Sequence, residues 1–208
     1  MALVKYNNNS ISAVTSAAAI PSGALTHIKT LTASSSSTLS FVDGSSDVVL
    51  DSTYPIYLFK FIGMHPATDA AEFQVNFSVD AGSNYNVTKT TTLFNARHSE
   101  DDTSEVGLTY TSSDDLAQST AFLTLFLNSG NGNDECTAGH LYLFNPSSTT
   151  FVKHFMSRMT GYHNADTSFD YYVAGYGNTT SAIDAVQFKM SSGNIDAGTI
   201  KLYGIKDS

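Results

Sequence analysis

The 208-residue chain has one cysteine, no tryptophan and few charges, with Asp, Glu, Lys and Arg making up 14% of it. A single cysteine, Cys136, excludes an intrachain disulfide. Its acidic surroundings, GNDECTAG, lack the positive field that activates a thiolate. It reads as a small residue in or near a sheet. The absence of tryptophan removes the strongest sugar-stacking ring. Charges usually supply about a quarter of a globular chain; here the polar surface must come from Ser, Thr, Asn and Gly. Those residues compete with helical hydrogen bonds and suit strands and turns. No run approaches the roughly 20 apolar residues of a membrane span. The start, MALVKYNNNS, lacks the apolar segment of a secretory signal, so the sequons at Asn76, Asn86 and Asn178 are expected to carry no glycan.

The charges that are present are mostly acidic, and the formal net charge is −9. Nucleic-acid binding depends on Lys and Arg neutralising phosphates, so this balance argues against a nucleic-acid partner, and equally against an anionic membrane. No cofactor motif is visible. G-x-S-x-G is absent, GYGNTT is not G-x-G-x-x-G, and none of the histidines at 27, 65, 98, 140, 154 and 163 forms a closely spaced zinc pair. His154 reads as solvent-facing or hydrogen-bonded on a strand. The densest acids, Glu100, Asp101, Asp102 and Glu105 with Asp114 and Asp115, read as solvated loops. Calcium at 100–105 stays open, although the EF-hand spacing is missing. Tyr171, Tyr172 and Tyr176 read as cross-strand pairs ahead of a sugar- or protein-binding surface.

What the sequence does have is alternation. In YPIYLFKFIGMHP, Tyr57, Phe59 and Phe61 share one face, and Ile56, Leu58, Lys60 and Ile62 the other, as in a central strand with its second face partly covered. EFQVNFSVD puts Phe73, Val75 and Phe77 inward and Glu72, Gln74 and Asn76 outward. NVTKTTTLFNARH, LYLF, FVKHFMSRM and DYYVAGYGNTT supply further strands, with a turn at NPSS. SSDDLAQSTAFLTLF opens on a helical turn capped by Ser112 or Ser113 and continues into a strand. Near the end, Val186, Phe188 and Met190 alternate, then Ile200 and Leu202, with Gly193 and Gly198 between. This pattern predicts an antiparallel hairpin. Many short strands with almost no helical periodicity predict an all-β, single antiparallel β-sandwich, jelly-roll-like.

The first 31 residues are small, polar and sparsely apolar. They read as an N-terminal arm, with THIKTLTA its likelier strand, ahead of a sandwich domain over 32–208. Leu3, Val4, Ile11, Val14 and Ile20 are the candidate docking residues, onto a capsid, a tail or a neighbouring copy. The competing reading is an edge strand on the chain's own sheet.

Several phrases together, DSTYPIYLFKFIGMHPATDAAEFQVNFSVDAGSNYNVTKTTTLFNARH, LFNPSSTTFVKHF and VAGYGNTTSAIDAVQFKMSSGNIDAGTIKLYGI, resemble small virion structural proteins of marine tailed bacteriophages, including those infecting cyanobacteria. The resemblance runs from about Ser40 to Ile205 and includes the opening segment; it is weakest over 99–137. It implies a non-enzymatic virion subunit, a capsid decoration or head appendage, without catalytic residues or cofactors. The implied partners are further copies of itself, most simply as a homotrimer, and other virion proteins such as the major capsid or tail proteins. Assembly in a host cytoplasm is implied as well. The alternative is a tail-fibre or receptor-binding module recognising a host-surface glycan, with an enzyme on the same scaffold a third and weaker reading.

Overall fold

The computed structural model describes residues 24–104 and 106–206. Among them are twelve strands: β1 (Leu25–Thr32), β2 (Leu39–Val42), β3 (Ile56–Pro66), β4 (Ala71–Ser78), β5 (Lys89–Ser99), β6 (Val106–Tyr110), β7 (Leu123–Ser129), β8 (Thr137–Phe144), β9 (Lys153–His163), β10 (Thr167–Gly177), β11 (Ala185–Met190) and β12 (Ile195–Ile205). All described pairings are antiparallel. Eight strands form one sheet in the order β1-β12-β3-β8-β9-β10-β5-β6, and four form a second, β7-β4-β11-β2. One strand pairing links the sheets, β7 with β9 at Ser129 and His163. The fold is therefore an all-β antiparallel sandwich, almost closed along one seam. A jelly roll shares eight strands between its two sheets; here one sheet alone has eight, and the jelly-roll order is not established.

The two sheets are joined by aromatic packing. Phe188 of β11 is fully buried and meets four rings: Phe59 at 5.4 Å and Phe61 at 5.2 Å from the opposite sheet, and Phe41 at 6.3 Å and Phe73 at 5.8 Å from its own. Most of these contacts are edge-to-face, which suits the ring quadrupole. Phe77 against Phe155 and Phe126 against Tyr171 extend the same layer toward β9 and β10. The inward sets expected of β3 and β4 are buried, as is that of β11, and Leu58 and Asn76 of the opposite sets are buried with them.

The predicted terminal hairpin is not formed. β11 pairs with β2 and β4, whereas β12 pairs with β1 and β3, so the link between them crosses from one sheet to the other. Alternation reports which face of a strand is inward and is silent about its neighbour. The two glycines do have positive φ, +68° at Gly193 in the crossing and +127° at Gly198 in a bulge of β12. The strand expected within THIKTLTA is β1, and it docks on β12 of its own chain. The helical turn expected near residue 112 is a 3-10 turn at Ser112–Asp114. Its N-cap is Thr111 rather than a serine and makes no side-chain capping bond, because the Thr111 hydroxyl accepts a 2.9 Å bond from Asn95 instead.

Asn76 also departs from expectation. It lies on the outward side of β4, yet it is fully buried. Its amide donates to the carbonyls of Tyr85 at 2.6 Å and Thr120 at 3.0 Å, and its oxygen accepts from Lys89 Nζ at 2.6 Å. Loops from either side therefore cover this end of the small sheet. Lys89 is likewise buried, its ammonium satisfied by Asn76 and the Val87 carbonyl at 2.7 Å, and burial lowers its pKa to about 8. Burial also pushes the Lys153 ammonium down.

Two outcomes follow from this packing. Phe188→Ala should destabilise the chain by about 3–5 kcal/mol in denaturant titrations, as large buried aromatics do. Because Lys89 titrates lower in the folded chain than in the unfolded one, the unfolded state binds more protons above pH 8. Stability must then rise with pH, by about 2 kcal/mol between pH 8 and about pH 9.5. Lys89→Met should remove most of that rise in melting temperature, and a rise unchanged by the substitution would contradict the assignment.

Candidate binding face

The small sheet covers the inner face of the large one, and among the described residues the outer face of the large sheet has no layer above it. Strand register places its side chains. Reading across neighbouring strands, Tyr110, Phe94, Tyr172, Arg158, His140, Lys60 and Lys201 fall on one row. The row is aromatic at the β6 end and cationic at the β12 end. A parallel row beside it runs through Thr92, Ala174, Met156, Tyr142, Leu58 and Tyr203.

The contacts along these rows are specific. Phe94 and Tyr172 stack in parallel, centroids 4.8 Å apart and planes within 3°. The Arg158 guanidinium lies 5.0 Å from the Tyr172 ring and is held from the side by Asp170, Nε to Oδ1 at 3.0 Å and Nη2 to Oδ2 at 2.7 Å. A planar guanidinium gripped by a carboxylate and laid on a ring has a fixed orientation, which is the condition for directional recognition. His140 packs at 5.2 Å on Tyr142, and Lys60 Nζ sits 5.6 Å from the Tyr203 ring. Burial, and then the neighbouring Arg158 and Lys60 charges, push His140 below its ordinary range, so at neutral pH it stands uncharged between cations. Thr92, Phe94, Tyr142, Met156, Arg158 and Tyr172 line a depression of about 300 Å³.

This face also collects exposed apolar surface. Apart from Val79 and Phe151, every large hydrophobic side chain that is exposed among the described residues points outward here, and the most exposed is Leu108 of β6 at 72%. Single exposed hydrophobics such as Leu25 and Ile62 are ordinary, whereas Val106, Leu108 and Tyr110 with the adjacent Phe94 make a contiguous group, which marks an interaction surface.

The other sequence candidates are dispersed. Leu3, Val4, Ile11, Val14 and Ile20 lie outside the described residues. Asp101 of the acidic loop is occupied by its own turn, accepting from the Ser99 and Ser104 hydroxyls and from the Thr103 and Ser104 amides, and these bonds hold its pKa well below the carboxylate range. Asp43, Asp51, Asp80 and Asp184 similarly accept backbone amides in turns. Among the described residues no group of three His, Cys, Asp or Glu side chains is placed to hold a metal ion. The histidines are scattered: His65 hydrogen-bonds the Gly132 carbonyl, His98 pairs with Asp102, and the exposed His154 lies beside Tyr176. Cys136 is exposed, one residue before β8. Of the three tyrosines, Tyr171 is buried against Phe126, while Tyr172 and Tyr176 make cross-strand ring contacts on the outer face.

The sequence marked Lys60 as the one charge in an apolar strand and Tyr172 as a possible surface ring. It gave no sign that Arg158 and Lys201 share their row, because register between distant strands is not written in either strand. If the Phe94–Tyr172 stack is a real coupling, Phe94→Ala and Tyr172→Ala should be non-additive by about 1 kcal/mol in a double-mutant stability cycle; additive losses would show that the rings are merely adjacent. No family model, no curated protein and no solved structure matches the chain.

Proposed function

We propose that the chain is a non-enzymatic structural subunit of a bacteriophage virion, of the capsid-decoration or head-appendage kind that its sequence resemblance implies, and that it works as a closed oligomer. The observation that carries the self-assembly is β6. Among the described residues it is the terminal strand of the eight-stranded sheet and pairs only with β5, and it exposes Val106, Leu108 and Tyr110 at 60%, 72% and 60%. A free strand edge bearing apolar side chains is an association hazard unless something covers it. Among the described residues β1, at the far end of the same sheet, presents a second edge and the exposed side chain of Leu25. An edge-to-edge contact between two different strands is heterologous, and it ends in a ring where the rotation closes. Three copies, as the resemblance suggests, are the simplest such ring. Capsid or tail proteins are then the further partners.

The receptor-binding alternative is favoured by one observation, the oriented guanidinium of Arg158 beside stacked rings. Copy number separates the two readings: hundreds per particle in a cryo-EM reconstruction for a decoration, a few at the tail for a receptor-binding module. For the oligomer, light scattering at micromolar concentration should give three times the chain mass, and Val106→Lys with Leu108→Lys should return it to the monomer. A monomeric wild-type chain would remove the support β6 gives.

A further inference from the structure

We propose that the cationic half of the outer face binds an anionic polysaccharide, its carboxylate or sulfate groups set against Lys60, Lys201 and Arg158 and its sugar rings against Tyr142 and Tyr203. The site goes beyond the structural-subunit reading and does not depend on it.

The first reason is a pairing that the fold does not need. Lys60 and Lys201 stand directly opposite one another on β3 and β12, and like charges in that position are destabilising. Neither has a carboxylate within ion-pair reach among the described residues, and Asp170 on Arg158 is the one acid that joins the row. The second reason is charge segregation. In a chain of net charge −9, Asp43, Asp51, Asp80 and Asp101 are among the acids held off this face accepting backbone amides, while three basic residues gather within a few strands of it, with Asp170 the acid beside them. That makes a local field opposite in sign to the rest of the molecule, suited to an anionic ligand.

The third reason is the company these cations keep. Tyr142 and Tyr203 are each half-buried, while Tyr172 is held between Phe94 and Arg158 with its hydroxyl 3.3 Å from Asp170 Oδ2 and serves to orient the guanidinium. A ring face packs on the apolar face of a sugar, and the hydroxyl offers a hydrogen bond. Neighbouring strands lie about 4.8 Å apart. A linear chain lying across them meets Arg158, His140, Lys60 and Lys201 in succession, with the uncharged imidazole of His140 available as a hydrogen-bonding partner. A polynucleotide also combines charge with rings, but its affinity rests on many successive phosphate contacts, and this face supplies three cations.

The test is a set of calorimetric titrations at low salt with four probes: an oligogalacturonate, a heparin oligosaccharide, a neutral maltooligosaccharide and a thymidine oligonucleotide. At least one of the two anionic saccharides should bind, and its affinity should fall as salt is raised. Which of the two binds tighter distinguishes carboxylate from sulfate recognition. Lys60→Ser with Lys201→Ser should weaken that binding at least tenfold with the melting temperature maintained or raised, and Tyr142→Ala should weaken it severalfold. If the double variant does not fold, Lys60→Gln alone, at an exposed position, should still weaken binding severalfold. The Val106→Lys, Leu108→Lys variant should keep the affinity even where it no longer self-associates, which separates failure of the oligomer from failure of this site. Binding of neither anionic saccharide, equal binding of the neutral one, tighter binding of the oligonucleotide, or affinity unchanged by loss of the lysines would each overturn the proposal.

Discussion

The contact of Phe188 with the four rings around it fixes where the two sheets lie, and the rest of the molecule depends on that contact. Phe59 and Phe61 enter from β3, so the small sheet sits over β3 and its neighbours, and Phe77 and Phe126 carry the layer on toward β9 and β10. One face of the large sheet is sealed by aromatic packing, and among the described residues the other is left to water or to a partner. The candidate face is a direct consequence of that two-layer arrangement.

Much of this was legible in the residues themselves. Alternation at Tyr57, Phe59 and Phe61 and at Phe73, Val75 and Phe77 announces which side chains are inward, because a strand has a period of two and burial acts on one side at a time. The failures share one physical origin. Val186–Met190 and Ile200–Leu202 look like partners because they are near in sequence, but each finds longer ladders elsewhere: β11 on β4 over Ala185–Met190 and β12 on β3 over Ile195–Ile205. Asn76 reads as outward by parity, and it is; parity cannot show that loops from residues 85 and 120 arrive to cover it. The cationic row is invisible for the same reason. Lys60, Arg158 and Lys201 are far apart in sequence, and only the order of strands makes them neighbours.

Low charge and uneven charge are separate properties here. A chain with few ionised groups can still hold a strong local field if those groups are sorted. The carboxylates are sorted by backbone chemistry: Asp43, Asp51, Asp80, Asp101 and Asp184 each accept an amide that a turn leaves unpaired. Two of the lysines are withdrawn into the interior, where Lys89 and Lys153 are held by carbonyl and amide oxygens in place of a counter-ion. What is left on the large outer face is enriched in positive charge without the chain being basic. Composition alone would have excluded any anionic ligand; the distribution does not.

The aromatic and cationic halves of the face have different physical demands. At the β6 end, apolar side chains are unfavourably exposed to water and the backbone groups of an edge strand are open for pairing, and another strand laid alongside answers both. At the β12 end, the ammonium groups of Lys60 and Lys201 keep their hydration and repel one another, so an apolar strand from another copy would have to bury unpaired charge. A ligand that brings its own anions and remains wet removes that penalty. The two ends of a single row are thus matched to two different kinds of partner, and the stacked Phe94 and Tyr172 rings, with Arg158 laid on them, form the boundary between them.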